Sequence, residues 1–224
     1  MLTRAKFLGG ALMSVAALTA PPAWAQSAQQ DTIDGARKTL ADLRHDKAFG
    51  NAEKLLRRAR AVMIVPKLVK GGFIVGGEGG NGVVMVRGAH GWSDPAFYVI
   101  GAASFGLQIG LEQSELILLI MTQKGLDGVL HDEFKIGAQA GIAVVTLGSG
   151  VEGAIGGPTL PDVVVWSSSS GLYGGLTIDG SVIRAQPNDD SAFYGRQVTS
   201  RDVLYARSLS PRGSALRRDI NAFG

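Results

Sequence analysis

Apolar positions in the central part of the chain fall into short runs rather than at helical intervals. The runs are rich in Val, Ile, Leu and Phe and are separated by glycine, which is typical of β-strands bounded by turns. They are Ala61–Val65, Phe73–Val75, Val83–Val86, Ala96–Ile109, Leu116–Met121, Ile142–Leu147, Val163–Trp166 and Leu172–Ile183. Asn81-Gly82 lies between two runs and predicts a tight hairpin turn, because both central residues of such a turn need positive φ.

The two ends of the chain have helical periodicity instead. Ile33, Ala36, Leu40 and Leu43 recur at helical spacing and predict a first helix, for which Asp31 or Thr32 would serve as N-cap. The other segments that we expect to be helical are Asn51–Arg60, Gln123–His131, Asp190–Tyr194, Ser200–Ala206 and Ser214–Ala222.

Glycine makes up 32 of the 224 residues, and 25 of them lie between Gly71 and Gly180. Glycine within strands permits bulges and strong coiling of a sheet. The sequence therefore predicts an α+β fold, with a strongly curved, Gly-rich antiparallel sheet that approaches a barrel in shape and with helices at the N- and C-terminal ends.

The first residues have the anatomy of a secretory signal peptide. Arg4 and Lys6 are basic, Phe7–Ala20 is largely apolar, and Ala23-Trp24-Ala25 is a small-x-small cleavage site. A retained membrane anchor is a weaker interpretation, since a span needs about 20 apolar residues. We expect residues 1–25 to be removed after Ala25, the protein to be periplasmic, and residues 26–224 to form one domain.

Charge is strongly segregated along the chain, although the formal net charge is only +3. Residues 37–70 have a net charge of +7, residues 71–195 of −8 and residues 196–224 of +4. Such asymmetry indicates an anionic partner for the basic ends, or opposite charges that meet within the fold.

Several kinds of chemistry are excluded or disfavoured by the residues present. There is no Cys, and the three His have no metal-ligand spacing. Two stretches match GxGxxG, at 77–82 and 148–153, but neither is followed by a helix that could face a pyrophosphate. Ser167–Ser170 is not a nucleophile elbow. We therefore expect no catalytic residue, no metal, no cofactor, and neither nucleotide nor nucleic acid as a partner.

Two remaining patterns are interpreted structurally. Carboxylate pairs at Glu112/Glu115, Asp132/Glu133 and Asp189/Asp190 could serve acid–base work or bind a hard cation, but solvated surface is the commoner role of such pairs. The aromatic segment 92–98 could bind a sugar or a lipid. The favoured interpretation is hairpin core, in which Asp94-Pro95 makes the turn and Phe97 faces inward.

The second predicted helix separates apolar from basic residues. At about 100° per residue, Leu55, Leu56 and Ala59 share one side, while the arginines lie nearly opposite. Lys67 and Lys70, just past a turn expected at Pro66, extend the basic zone. The candidate binding residues are Lys54, Arg57, Arg58, Arg60, Lys67 and Lys70. The alternative is a solvated helix face over a packed stripe.

Longer patterns make a family resemblance visible. Residues 61–87 read AVMIVPKLVKGGFIVGGEGGNGVVMVR and residues 91–110 read GWSDPAFYVIGAASFGLQIG. They are followed by ELILLIMTQKGLD, FKIGAQAGIAV and SSSSGLYGGLTIDGSVIRAQPNDDSAFYG. In this order and spacing they resemble the SYLF domain, a lipid-binding family found in bacterial envelope proteins and in eukaryotic membrane-trafficking and actin-patch proteins. The resemblance covers roughly residues 36–205.

The resemblance implies binding without catalysis. It points to a lipid-binding module that associates peripherally with an anionic phospholipid surface in the bacterial envelope, through a basic amphipathic helix that corresponds here to the second predicted helix. Actin is not an expected partner of an exported protein. Two alternatives stay open: a structural or scaffolding periplasmic protein that binds another protein through its basic ends, and, more distantly, a carboxylate-dependent hydrolase.

Overall fold

The computed structural model describes residues 23–45, 52–72, 75–105, 110–131, 134–136, 142–144, 161–168, 180–206 and 208–223. The helices within these ranges are α1 (Ala23–His45), α2 (Ala52–Arg58), α3 (Gln123–Val129), α4 (Pro187–Tyr194), α5 (Ser200–Tyr205) and α6 (Ser214–Asn221), and a 3₁₀ turn spans Pro211–Gly213. The strands are β1 (Ala61–Gly72), β2 (Val75–Gly88), β3 (Gly91–Trp92), β4 (Ala96–Phe105), β5 (Gly110–Ile120), β6 (Phe134–Lys135), β7 (Ile142–Val144), β8 (Val163–Ser167) and β9 (Val182–Ala185).

The strands form one strongly curled half-barrel sheet in an α+β fold, as the sequence predicted. Its order is β6-β9-β4-β2-β1-β5-β8-β7. The short strand β3 pairs with the last two residues of β2, Arg87 and Gly88, whereas β4 pairs with β2 only as far as Val84. The pairings are antiparallel except that of β7 with β8, which is parallel.

Both faces of the sheet are covered, which explains why its strands are continuously apolar rather than alternating. Val62 and Ile64 of β1 point to one side, where they join a core with α1, α2 and α6. Met63 and Val65 point to the other side and join a second core with α3 and α5. These four residues of β1 are therefore fully buried.

The four apolar residues that predicted the first helix are buried in α1, each at most 2% exposed. The predicted N-cap is wrong, because Asp31 and Thr32 lie inside the helix, where the Thr32 hydroxyl donates to the Ala28 carbonyl. The predicted helices around α3 to α6 are confirmed to within two or three residues at each end.

The hairpin predicted at Asn81-Gly82 is wrong, because both residues lie within β2. The pairing of β1 with β2 shifts register between Ile64 and Val69, which marks a bulge in β1. A Cβ atom on Gly82 would lie 2.4 Å from the Ile64 carbonyl oxygen. Glycine is therefore needed here for close approach of the bulged strand rather than for positive φ.

The turns predicted at Pro66 and at Asp94-Pro95 are also wrong. Pro66 lies within β1 at the bulge, where a strand tolerates a residue without an N–H. Asp94 and Pro95 interrupt a strand that returns along β2, since Arg87 pairs with Trp92 and Val84 pairs with Ala96. The core interpretation of the aromatic segment is nevertheless confirmed, because Trp92, Phe97 and Tyr98 are at most 4% exposed.

Candidate functional site

Helix α2 lies on the sheet with one side buried. Leu55, Leu56 and Ala59 are at most 1% exposed, while Lys54, Arg57 and Arg58 are exposed. The separation of apolar and basic sides predicted from the sequence is therefore present, although the helix ends at Arg58 rather than at Arg60. We call Lys54, Arg57 and Arg58 the α2 basic surface.

A partly buried arginine from the sheet, Arg87, fixes the end of α2. The Arg87 guanidinium donates to the carbonyls of Leu56, at 2.7 Å, and Ala59, at 3.2 Å. It also lies 4.5 Å from the centre of the Trp92 ring, a cation–π contact. Burial lowers the pKa of Arg87 from its usual value. A cation that satisfies the last carbonyls of a helix stabilises it, so α2 is held in one orientation.

Within the α2 basic surface, one cation is paired locally. Arg57 forms an ion pair with Glu53, one turn earlier, with 2.5 Å between nitrogen and oxygen. This pair lowers the pKa of Glu53, and Arg44 of α1 adds to the shift through its charge. Lys54 and Arg58 form no ion pair with another described residue. Arg44 was not predicted from the sequence, because its approach to α2 depends on how two helices pack.

The other three predicted site residues lie on or beside β1. Arg60 extends the ladder of β1, since its N–H donates to the Ile120 carbonyl, and its guanidinium donates to Gln123. Lys67 follows it by seven residues, which is about 23 Å along an extended strand. The structure therefore separates Lys67 and Lys70 from the α2 basic surface.

Lys70 lies directly opposite Glu78 in the pairing of β1 with β2. Opposed residues of antiparallel strands project from the same face, so Lys70 projects with Glu78. Glu78 is 7% exposed, and burial raises its pKa while the charge of Lys70 opposes that rise. Lys70 is thus placed to compensate a carboxylate within the fold.

The segregated charges partly meet within the molecule. Lys38 of α1 contacts Glu115 at 3.0 Å, and Arg217 of α6 contacts Asp94 at 2.7 Å. Each pair joins a basic end of the chain to its acidic middle. The α2 basic surface has no such carboxylate from residues 71–195 in the described part of the chain, so its positive charge is directed to solvent, as is that of the exposed Arg60 and Lys67.

Two buried aspartates anchor the C-terminal helices, and the sequence did not predict either. Asp94 accepts hydrogen bonds from the Leu209 N–H, at 2.6 Å, and from Arg217. Asp190 accepts from the Phe97 N–H, at 2.8 Å, and from the Ser200 hydroxyl. Both are fully buried, so the expectation that Asp190 belongs to solvated surface is wrong. Asp189 is partly buried and accepts from Gln29 of α1.

We predict that Asp190 makes stability depend on pH. Burial, opposed by its hydrogen bonds, raises its pKa from 3.8 to about 6. Between these values the native state binds more protons than the unfolded state, so stability falls as pH rises and is about 3 kcal/mol lower above pH 6. Asp190→Asn keeps an acceptor but does not titrate. Relative to wild type, its free energy of unfolding should increase by about 2 kcal/mol from about pH 4 to pH 7 in urea titrations, because the unfolded-state carboxyl is already more than half ionised at pH 4. Parallel pH profiles would contradict this assignment.

The remaining sequence candidates have these positions. Gly77, Gly79 and Gly82 of the first GxGxxG stretch lie on β2, and the second stretch lies outside the described residues. Ser168 pairs with the Glu115 backbone. Glu112 and Glu115 lie on β5, and Asp132 and Glu133 lie outside the described residues.

Metal-binding groups and membrane-spanning helices are both absent from the described ranges. In these ranges, no group of three or more His, Asp or Glu side chains could hold a metal ion. In the same ranges, no helix is long and apolar enough to cross a membrane.

The fold and the site define an α+β half-barrel domain that presents a basic amphipathic helix. A profile of the Ysc84 family, described as Las17-binding protein actin regulator, matches residues 101–222. The chain therefore belongs to this family, and the resemblance to the SYLF domain is confirmed. The matched region begins after α2, so it contains the C-terminal helices but not the α2 basic surface.

Eukaryotic relatives match a longer part of the chain. SH3 domain-containing YSC84-like protein 1 of Rattus norvegicus is 25% identical over 172 residues, which is 75% of this chain and 50% of the rat protein. LAS seventeen-binding protein 3 of Saccharomyces cerevisiae is 26% identical over 196 residues, 83% of this chain and 42% of the yeast protein. The chain thus spans half or less of the length of these relatives. No solved structure matches significantly.

Proposed function

We propose that this chain is a non-catalytic module that associates peripherally with anionic phospholipid surfaces of the bacterial envelope through the α2 basic surface. One observation supports this most directly. The apolar side of α2 is buried in the protein core, while Lys54 and Arg58 are exposed and have no carboxylate partner among the described residues. The free cations are therefore available to phosphate groups.

The burial of Leu55 and Leu56 determines the mode of binding. A helix whose apolar side is already packed cannot insert that side into the acyl region, as a free amphipathic helix does. Contact would be electrostatic, with about 1 kcal/mol for each cation near an anionic surface. Four cations, Arg60 included, give about 4 kcal/mol before the charge of Glu53 is subtracted, which corresponds to a roughly millimolar dissociation constant. Binding should thus be weak, reversible and sensitive to salt.

The location is part of the same proposal. Basic residues at the start, an apolar run and a small-x-small site support export, with cleavage after Ala25. The chain that follows has 20 basic and 19 acidic residues, a net charge of +1. N-terminal sequencing of the exported protein should give Gln26 as its first residue, and a chain that retains Met1 would contradict export by this route.

A scaffolding role is the second candidate, because the names of the family and of its yeast relative describe the binding of another protein. Actin regulation is part of the family description, but we do not extend it to an exported chain. A carboxylate-dependent hydrolase is less well supported, since the fully buried Asp94 and Asp190 are both occupied by structural hydrogen bonds.

Vesicle co-sedimentation distinguishes the first two candidates. The protein should sediment with vesicles of phosphatidylglycerol and phosphatidylethanolamine at low salt, and this fraction should fall as salt shortens the Debye length below about 8 Å. It should stay in the supernatant with phosphatidylcholine vesicles. Failure to sediment with either kind of vesicle at low salt would contradict the membrane proposal and favour a scaffold.

A further inference from the structure

An open cleft lies beside α3 and α5, on the face of the sheet opposite α2. Its volume is about 720 Å³, and its lining includes Leu130 after α3 and Tyr205 at the end of α5. Leu126 and Val203, from the same two helices, belong to the core on that face, whereas Leu55 of α2 belongs to the other core. The cleft is thus separate from the α2 basic surface.

Helix α5 is held firmly, although it is short. Thr199 and Asp202 form a capping box at its first turn, and the Ser200 hydroxyl donates to the buried Asp190. Val203 and Leu204 are at most 3% exposed and fix its inner side. Helix α5 forms one side of the cleft, and these contacts hold it in one conformation. A preorganised surface reduces the entropy lost when a partner binds.

The cleft contains an unusual exposed aromatic ring. Tyr205 is 59% exposed. Within the described ranges it is the exposed large hydrophobic side chain. Leu130 and Leu209, which also line the cleft, are only partly buried against the core. Together they give the cleft an apolar floor next to an amphipathic ring, which favours contact with a partner rather than with water.

Four charged side chains line the cleft, and the two cations among them form no close ion pair with a described residue. Arg196 and Arg201 are exposed and form no hydrogen bond or ion pair with other described residues. The acidic groups accept hydrogen bonds within the protein: Asp202 from the N–H and hydroxyl of Thr199, and Asp127 from Gln123. The hydrogen bonds from Thr199 lower the pKa of Asp202, and the charge of Arg196 adds a smaller part of that shift. The cleft therefore combines two guanidinium groups without an ion-pair partner among the described residues with two carboxylates that are held by hydrogen bonds within the protein.

We infer that this cleft binds an acidic segment of a partner polypeptide, with carboxylates on Arg196 and Arg201 and an apolar side chain against Tyr205. Guanidinium groups pair with carboxylates through parallel hydrogen bonds. Tyr and Arg are the residues that most often dominate the binding energy of protein interfaces. The cleft is open, whereas small-molecule sites bury most of the ligand surface, so an extended chain fits it better than a small molecule.

The probe is a set of synthetic fluorescent peptides in which Leu, Phe or Trp is flanked by Asp and Glu, measured by fluorescence anisotropy with the full-length protein. We expect acidic members to bind and their counterparts with Lys in place of each acid not to bind. The variant Arg196→Gln/Arg201→Gln should weaken binding about tenfold or more, because both charge-assisted contacts are lost. Tyr205→Ala should also weaken it, while Tyr205→Phe should retain it.

The variant Lys54→Gln/Arg58→Gln is the matched control, since it removes the same charge from the opposite face of the sheet. It should bind the acidic peptides as wild type does. Equal binding of acidic and basic peptides, or full binding by Arg196→Gln/Arg201→Gln, would overturn the inference. So would loss of anionic-vesicle binding in that variant together with unchanged peptide binding, which would make the cleft a membrane contact instead. None of these outcomes depends on the proposed role of α2.

Discussion

Replacement of Gly82 by alanine should destabilise the protein by about 3 kcal/mol, within the range measured for overpacked sites. The added Cβ would lie 2.4 Å from the Ile64 carbonyl oxygen and 2.9 Å from a methyl group of Val65. The first contact is with backbone, which cannot rotate away, and Gly82 is buried. The strands β1 and β2 must separate at the bulge, so the curvature of the sheet would change.

The matched control is Gly79→Ala, three residues earlier in the same strand. A Cβ at Gly79 would meet the Ile100 carbonyl oxygen at 3.5 Å, an ordinary van der Waals contact. Because neither glycine has positive φ, the two substitutions differ mainly in the space available. Urea unfolding should show a large loss for the first and a change within about 1 kcal/mol for the second. Equal losses would show that strand propensity, not close approach, explains the glycine at position 82.

Removal of the Asp94 carboxylate should have a comparable or larger effect, about 3–5 kcal/mol for Asp94→Ala. Asp94 is fully buried, and its loss leaves Arg217, whose side chain is 25% exposed, without its partner. The Leu209 N–H also loses its acceptor. Because these two groups belong to the last part of the chain, we expect loosening of α6 to accompany the loss, detectable as faster amide exchange there.

Two comparisons isolate this contact. Asp34→Ala removes an exposed carboxylate that lies 3.9 Å from Arg37, and should change stability by less than about 1 kcal/mol. In a double-mutant cycle, Asp94→Ala should be less damaging when Arg217 is already Met, since no buried charge is then left unpaired. Additive losses would contradict a direct coupling between Asp94 and Arg217.

Much of the fold follows from local pattern. Runs such as 116–120 are apolar at every position because both faces of the strand are buried, and the periodicity of Ile33, Ala36, Leu40 and Leu43 defines the buried side of α1. The abundance of glycine correctly indicated curvature. The pattern did not indicate how the curvature is produced, because the bulge at Pro66 and its approach to Gly82 depend on pairing between strands.

The errors share a physical cause, which is that tertiary contacts override local preferences. Asn-Gly is a strong hairpin signal, yet β2 continues through it, since the close approach of β1 needs glycine there. Asp-Pro and Asp-Asp are typical of turns and surfaces. Asp94 and Asp190 are nevertheless buried, where Arg217 and the Phe97 N–H donate hydrogen bonds to them. These partners are 123 and 93 residues away in sequence, so local pattern does not show them.

The candidate site was predictable only in part. Helical periodicity placed Lys54, Arg57 and Arg58 on the exposed side of α2, because burial of Leu55 and Leu56 fixes the orientation of a helix. The position of Lys70 opposite Glu78 could not be predicted, since it depends on the register of β1 with β2. The cleft beside α5 brings Asp127 together with Arg196, Arg201 and Tyr205, which no local pattern joins to it.

The most direct test of the account is vesicle binding by two matched double variants. Lys54→Gln/Arg58→Gln should bind vesicles of phosphatidylglycerol and phosphatidylethanolamine about 30-fold more weakly than wild type, since two cations contribute about 2 kcal/mol. Arg196→Gln/Arg201→Gln removes the same charge from the other face and should bind as wild type does. Both should unfold at the wild-type urea concentration, because all four side chains are exposed. Equal binding by wild type and both variants would show that the basic side of α2 is merely solvated, which would contradict its role as the membrane-binding surface.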